Sequence, residues 1–351
     1  MRPHLARLVA VSVFALLAMA VVPLATSAKT PGSCTTGEGL VFLPNPVVAN
    51  GGSWAGLADN KDADSTLLDS LRVSVTLPFL DGSGYLRGTY AYVVSSTGDL
   101  AYSTAAEGCT YDYTRHQDQF EQVMAYYWVN ESQAYSRSLG FTESSGLWRE
   151  INADQQRVRI DQWGADNSFS TTHPKDEMRF GKGGVDDAED GEVILHELGH
   201  QIHFSQSATF FASNEAGSIS EGFGDYWAAT VSEWATGGEP DPACIAEWDS
   251  ITYTSGPVHC LRRLDTSLMY PTDLSGAVHH DGQIWSHALW NLRTALGTTH
   301  ADTAILRAQF DWTGTTMPDL AERIITAVDA LYGSGEAAQA EAAFADRGIL
   351  P

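Results

Sequence analysis

The sequence predicts an α+β protein with two lobes, a mixed and β-rich N-terminal part and a mainly helical C-terminal part. Three observations lead there. Up to about Cys109 the chain is rich in Gly, Ser, Thr and β-branched residues in short alternating runs, the pattern of half-buried strands between turns. Beyond Ala235 the apolar residues recur every three or four positions, the period of helices that bury one face. Between the two lies a segment, 196–225, in which histidines and carboxylates stand at helical intervals.

Residues 1–7 are basic, 8–24 are almost unbroken apolar, and 25–28 are small. That succession reads as a secretory signal peptide over 1–28. A membrane anchor is the alternative, but the apolar run is at the short limit for a span and ends in a cleavage-like sequence. No later segment is long and apolar enough to cross a bilayer, so the expected mature chain is secreted, extracellular, soluble and monomeric, with no membrane partner. The formal net charge is −24, and the segment removed carries Arg2 and Arg7 but no acid. So acidic a surface repels nucleic acid and anionic lipid. The four cysteines, at 34, 109, 244 and 260, read as disulfides in an exported chain. Three pairings are open; the local one, Cys34 with Cys109 and Cys244 with Cys260, closes one loop in each half.

Residues 71–77 and 88–94 alternate between Gly and Asp turns and read as antiparallel strands. Phe120, Val123, Met124, Tyr127 and Trp128 make one amphipathic helix of 119–139. A strand at 157–161 precedes a loop around Asn167, and a short strand at 177–181 leads to Gly183 and Gly184. The acids at 186–190 offer N-caps and first-turn carboxylates to the next helix, whose apolar surface is Val193, Ile194, Leu198 and Ile202. Gly199 costs that helix about 1 kcal/mol relative to Ala, and its missing side chain is expected to leave room for packing against the sheet. A second helix carries Phe223, Tyr226, Trp227 and Val231. The turn-rich stretch 237–242 ends the first lobe, which gives lobes of 29–235 and 236–351. Helices follow at 283–296, 301–310, 318–332 and 336–344, with Pro318 at a first helical position and Gly297, Gly333 and Gly348 at helix ends.

The chemistry concentrates in His196-Glu-Leu-Gly-His200. Histidines four apart project from one helix face with Glu197 beside them, the H-E-x-x-H arrangement of zinc peptidases. Two neutral imidazoles fill two corners of a tetrahedral Zn²⁺ site, and a third protein ligand leaves the fourth to water. Glu221 is the candidate third ligand. Asp225, four residues on, is the candidate to accept the other N–H of a bound imidazole; a solvated surface acid is the alternative. His203 reads as a pocket or core histidine, since ligands crowded on one helix seldom close a tetrahedron. His279 and His280 read as preceding a helix that starts at Asp281, with one reaching the site or both in solvent.

These segments, in this order, resemble the gluzincin metallopeptidases of the thermolysin and fungalysin kind over roughly residue 167 to the C-terminus. HELGH at 196–200 resembles their zinc-binding helix. NEAGSISE at 214–221, continued by GFGD, resembles the segment with the glutamate ligand and the aspartate that orients the first histidine. VHHDGQIW at 278–285 is similar to the segment whose first histidine stabilises the transition state, which implies that role for His279 and not His280. CLRRL at 260–264 falls where the family has an arginine that binds a substrate carbonyl, and Arg262 aligns with it. Asn167 resembles an edge-strand asparagine that binds substrate backbone, with an ordinary turn asparagine as the alternative. The wording Gly222-Phe-Gly224 and Gln283-Ile-Trp285 places the chain nearer a bacterial fungalysin-like branch.

The resemblance implies a thermolysin-like fold and a secreted zinc endopeptidase acting on extracellular protein or peptide. His196, His200 and Glu221 would hold the zinc, Glu197 would be the general base, and His279 with Arg262 would stabilise the oxyanion. Two departures stand out: Glu221 is one residue further from His200 than in thermolysin, and Phe210 and Phe211 occupy the place of the family's tyrosine. They sustain a second reading, a catalytically decayed, zinc-stabilised extracellular binding module, against which the intact Glu197 counts. An aminopeptidase is disfavoured, because no G-x-M-E-N-type segment precedes HELGH. Oxygen ligands for Ca²⁺ are offered by the 186–190 cluster, Glu192 and Glu215, and by Asp59, Asp62 and Asp64; helix capping and a solvated acidic surface compete with that reading. Asn130 begins a formal glycosylation acceptor.

Overall fold

The computed structural model describes residues 34–143, 149–173, 176–255 and 259–351; the predicted signal peptide, 1–28, lies outside them. In chain order the first part runs β1 (Gly37–Val41), α1 (Pro46–Ala49), α2 (Thr66–Leu71), β2 (Val73–Leu77), β3 (Ala91–Ser95), β4 (Thr110–Tyr111) and α3 (Gln119–Ser138). Next come β5 (Gln156–Ile160), β6 (Phe169–Thr171), β7 (Glu177–Arg179), α4 (Gly191–Gln206) and α5 (Asn214–Thr236). A two-strand ribbon, β8 (Cys244–Ile245) with β9 (Arg262–Arg263), precedes α6 (Val278–Leu296), α7 (Thr298–Gln309), α8 (Met317–Tyr332) and α9 (Ser334–Ala345). The fold is α+β, sheet-rich at the N-terminal end and helical at the C-terminal end, as the sequence predicts.

Two sheets form the first part. In one, β1 lies between β2, antiparallel with Gly39 opposite Val75, and β4, parallel with Glu38 opposite Thr110. The Cys34–Cys109 disulfide ties the start of β1 to the residue before β4. In the other, β3, β5 and β7 are parallel and β6 closes the edge antiparallel to β7. The antiparallel reading therefore holds for the 71–77 stretch and fails for the 88–94 stretch. β2 pairs with β1, whereas β3 runs parallel to β5 with Val93 opposite Val158. Alternation marks a half-buried strand but does not name its partner, and the crossover that parallel pairing requires is supplied by α3. Residues 66–71 are helical instead, started by Ser65 Oγ accepting from Leu68 N.

α3 spans almost the predicted range, and its apolar residues are buried. So is Asn130, whose amide donates to the Tyr126 carbonyl, which removes it as a glycosylation acceptor. α4 starts where Asp190 Oδ1 accepts from Glu192 N at 3.0 Å, and α5 starts where Ser213 Oγ accepts from Ala216 N. α5 ends on Gly237 in the left-handed region, φ 77°, where glycine costs least, close to the predicted change of texture. α6 begins at Val278 rather than Asp281, so His279 and His280 stand in its first turn. Among the described residues, no helix is long and apolar enough to cross a membrane.

Candidate metal centre

Bare backbone brings three helices together. A Cβ on Gly199 would lie 2.8 Å from Gly224 Cα, and one on Gly224 would lie 2.7 Å from His196 Nδ1. Any side chain at these positions would push α4 and α5 apart. The room left by Gly199 is thus taken by α5, and the expected packing against the sheet is corrected. A Cβ on Gly282 would meet Glu221 Cβ at 2.9 Å, so α6 closes on α5 in the same way. Each helix contributes to one cluster: His196, Glu197 and His200 from α4, Glu221 and Asp225 from α5, and His279 from α6.

The imidazoles are oriented from behind. His196 Nδ1 is 2.9 Å from Asp225 Oδ1, and His200 Nδ1 is 2.9 Å from Ser220 Oγ, so both Nε2 atoms face Glu221. Glu221 Oε2 lies 3.3 Å from His196 Nε2, and Oε1 lies 3.7 Å from His200 Nε2. Tetrahedral ligands about 2.0 Å from an ion are roughly 3.3 Å apart; both contacts to Glu221 are near that spacing, and one ligand atom from each of the three residues lies within 4.8 Å of the other two. The buried Glu221 Oε2 and Glu197 Oε2 form no hydrogen bond. Such atoms are costly to leave unmet, and the donor set fits zinc.

His203 is not part of this set. Its ring stacks between Phe210, 3.6 Å away, and Phe223, 4.3 Å away, and its Nδ1 is 3.0 Å from Ser220 Oγ. Ser220 therefore sits between two imidazoles with one proton to give. With His200 Nε2 turned to an ion, His200 Nδ1 donates to Ser220 Oγ, whose own hydrogen goes to His203 Nδ1. Sequence reading missed Ser220. The available signal was that each ligating imidazole needs an acceptor behind it, and only His196 had been given one.

Charges follow this geometry. Burial alone would raise Glu221, but His200, His196 and His279 hold it well below the usual carboxylate range. Burial likewise opposes Asp225, which Arg262 and His196 bring down to about 2. His196 is pulled down by burial and up, to about 9, by Asp225 and Glu221. Burial lowers His200 to about 4. Burial raises Glu197 to about 7, with the charge of Glu221 adding and that of His196 opposing.

Arg262 is positioned by the β8–β9 ribbon, beside the Cys244–Cys260 disulfide. Its Nε donates to Asp225 Oδ2 and its Nη2 to Asp225 Oδ1, both at 2.7 Å. Asp225 is fully buried, not a solvated acid. The expectation for Arg262 is accordingly amended: two of its donors hold Asp225, which holds His196. A cavity of about 190 Å³ is lined by Asn167, His196, Glu197, Arg262 and His279, among others. His279 is largely exposed, with Nε2 3.3 Å from Glu221 Oε2, whereas His280 turns to Asp281 Oδ1 at 3.0 Å. Asn167 lies two residues before the start of the edge strand β6. Phe210 is buried against His203 and Trp312; Phe211 is exposed, its ring 6.2 Å from that of His200.

No family model matches this sequence, and no curated protein matches it. Among solved structures, the chain is similar to the precursor of protealysin, a metalloproteinase from Serratia proteamaculans. The TM-score is 0.54 at 15% identity, over 74% of this chain and 86% of that one. The fold is thermolysin-like. The likeness bears on the metallopeptidase fold and does not reach the fungalysin-like branch.

The acids proposed as calcium ligands separate into groups. Asp190 caps α4 and also accepts from Trp248 N; Glu192 accepts from Ala246 N and Ser232 Oγ. Glu189 and Asp59 both take the Arg115 guanidinium, and Glu215 accepts from Met317 N. Residues 186–190 and Glu192 are buried, so a solvated acidic surface does not describe them. Two sets bring carboxylate oxygens within 4.8 Å of one another: Glu121, Asp161 and Asp186, and Asp166, Asp187 and Asp249. Burial first, then neighbouring acids, raises Asp186 to about 8, Glu239 to about 8 and Glu247 to about 7. A carboxyl raised by folding stabilises the fold while protonated and loses that contribution as pH rises through its folded value. Chelator-treated protein should therefore melt at a lower temperature at about pH 8.5 than at about pH 6.5; a Tm that rises over this interval would contradict the burial of these acids.

Proposed function

We propose that this chain is a secreted, monomeric zinc endopeptidase that hydrolyses peptide bonds in extracellular protein or peptide. The observation that carries the reading is Glu197. A structural zinc site needs only its ligands, yet here a further buried carboxylate, with Oε2 unbonded, stands beside the three-ligand set. Zinc held by His196, His200 and Glu221 would acidify a water molecule and polarise the scissile carbonyl. Glu197 accepts the water's proton and passes it to the leaving amine. His279 donates to the oxyanion as charge develops, with Arg262 beside it, and Asn167 holds the substrate backbone at the cavity edge.

Export is supported by the signal-like residues 1–28 and by two disulfides, which persist in oxidising compartments. The end of α5 at Thr236 supports lobes of 29–235 and 236–351. Placement near a bacterial fungalysin-like branch rests on the motif wording alone. Calcium at the Glu121, Asp161 and Asp186 carboxylates would lift the part of the pH penalty that Asp186 carries, since a divalent cation supplies the charge that protons otherwise supply.

The test is hydrolysis of denatured casein by the purified protein. Activity should vanish on chelation and return with one equivalent of zinc. Full zinc occupancy without hydrolysis would overturn the proposal in favour of the zinc-stabilised binding module, the reading that Phe210 and Phe211 in place of a tyrosine favour.

A further inference from the structure

The cavity beside the metal centre is lined by both apolar and acidic side chains. Val193, Ile245 and Leu261 line it, together with Asp187 and Asp249, which are only 2% and 4% exposed. Asp187 Oδ2 accepts from Ser168 Oγ, while Asp187 Oδ1 and Asp249 Oδ1 have no hydrogen-bond partner. Carboxylate oxygens of these two residues and of Asp166 lie within 4.8 Å of one another.

The neighbouring Glu192 differs, because both of its oxygens are engaged, by Ser232 Oγ and Ala246 N. Among the described residues lining the cavity, Arg262 is the only Lys or Arg, and its Nε and Nη2 are committed to Asp225. Asp187 and Asp249, each with a buried carboxylate oxygen that has no hydrogen-bond partner, thus line a cavity in which no lysine or arginine of the protein is hydrogen-bonded to them. Buried charges are normally paired, so the partner has to arrive with whatever enters. A lysine or arginine side chain meets both demands. Its methylene stem is apolar enough for Val193, Ile245 and Leu261, and its cationic head makes charge-assisted hydrogen bonds to the carboxylates.

We infer that this cavity is a specificity pocket that takes a lysine or arginine side chain adjacent to the scissile bond. The inference rests on the peptidase reading of the same centre and sharpens its substrate class to peptides with basic residues. An apolar side chain of the same length would fill the walls but leave the two aspartates unmet, which is how such a site discriminates.

The decisive measurement needs no turnover. Zinc-loaded Glu197→Gln protein is titrated with pairs of peptide hydroxamates that differ only in lysine versus norleucine, with the varied residue placed on either side of the metal-binding group. For one placement, the lysine compound should bind at least about tenfold more tightly, and Asp187→Asn with Asp249→Asn should remove that advantage. Equal or weaker binding of the lysine compounds in both placements overturns the inference, whether the carboxylates keep their protons or hold a divalent cation. Should the double variant fail to fold, the comparison within Glu197→Gln decides alone. In parallel, mapping the bonds cut by wild-type protein in denatured protein should show Lys or Arg enriched at one position flanking the cleaved bond. Frequent cleavage without that enrichment counts against the pocket. No cleavage at all refutes the peptidase reading and leaves the hydroxamate comparison standing.

Discussion

Glu197→Gln should keep its zinc and lose about 10²- to 10⁴-fold in kcat/KM toward a peptide substrate, the range in which a positioned general base contributes. Gln has the same shape and fills the same place in α4, so the packing that orients His196 and His200 is untouched. The substitution also removes a carboxylate that burial disfavours, so the melting temperature should hold or rise. Zinc content, thermal unfolding and kcat/KM measured on one preparation separate the possibilities. Retained activity would remove Glu197 from the mechanism, and zinc lost along with activity would make it part of the ligand sphere.

Asp225→Ala should damage two properties at once. Arg262 would be left buried without its bidentate partner, a loss of about 3–5 kcal/mol for a broken buried pair. His196 would lose the acceptor at Nδ1, which typically costs 10- to 100-fold in metal affinity. Denaturant unfolding of the zinc-free protein reads the first effect, and competition with a chelator of known affinity reads the second. Asp225→Asn keeps an oxygen for His196 but no charge for Arg262, so it should recover much of the zinc affinity and little of the stability. If Asp225→Ala moves neither quantity, the Arg262–Asp225–His196 chain does not hold the site.

Much of the helical part was legible because its signals are local. The spacing of Phe120, Val123, Met124, Tyr127 and Trp128 predicts α3 almost to its ends, and the glycines at 297 and 333 stand where α6 and α8 stop. The strands were legible as strands and not as pairs: β2 and β3 belong to different sheets, and nothing in either stretch encodes its neighbour. His279 was read as preceding a helix because Asp281 looked like a start. In the fold, Asp281 accepts from Ser275 N and Gly276 N and fastens the loop ahead of α6 from inside its first turn. The acids of 186–190 and Glu192 read as calcium ligands, as helix caps or as a solvated surface, since composition reports charge but not depth.

By itself the sequence determined which groups share a helix. His196 with His200, and Glu221 with Asp225, stand four apart, and covalent helix geometry leaves such pairs on one face whatever surrounds them. Only the tertiary structure decided which faces meet. Gly199 against Gly224, and Gly282 against Glu221, set how closely α4, α5 and α6 approach. That approach places Ser220 behind His200 and Arg262 behind Asp225, and Asp187 and Asp249 stand in the lining of the adjoining cavity. Contacts of this kind depend on how every buried surface fits every other, a property of the whole core that no local spacing contains.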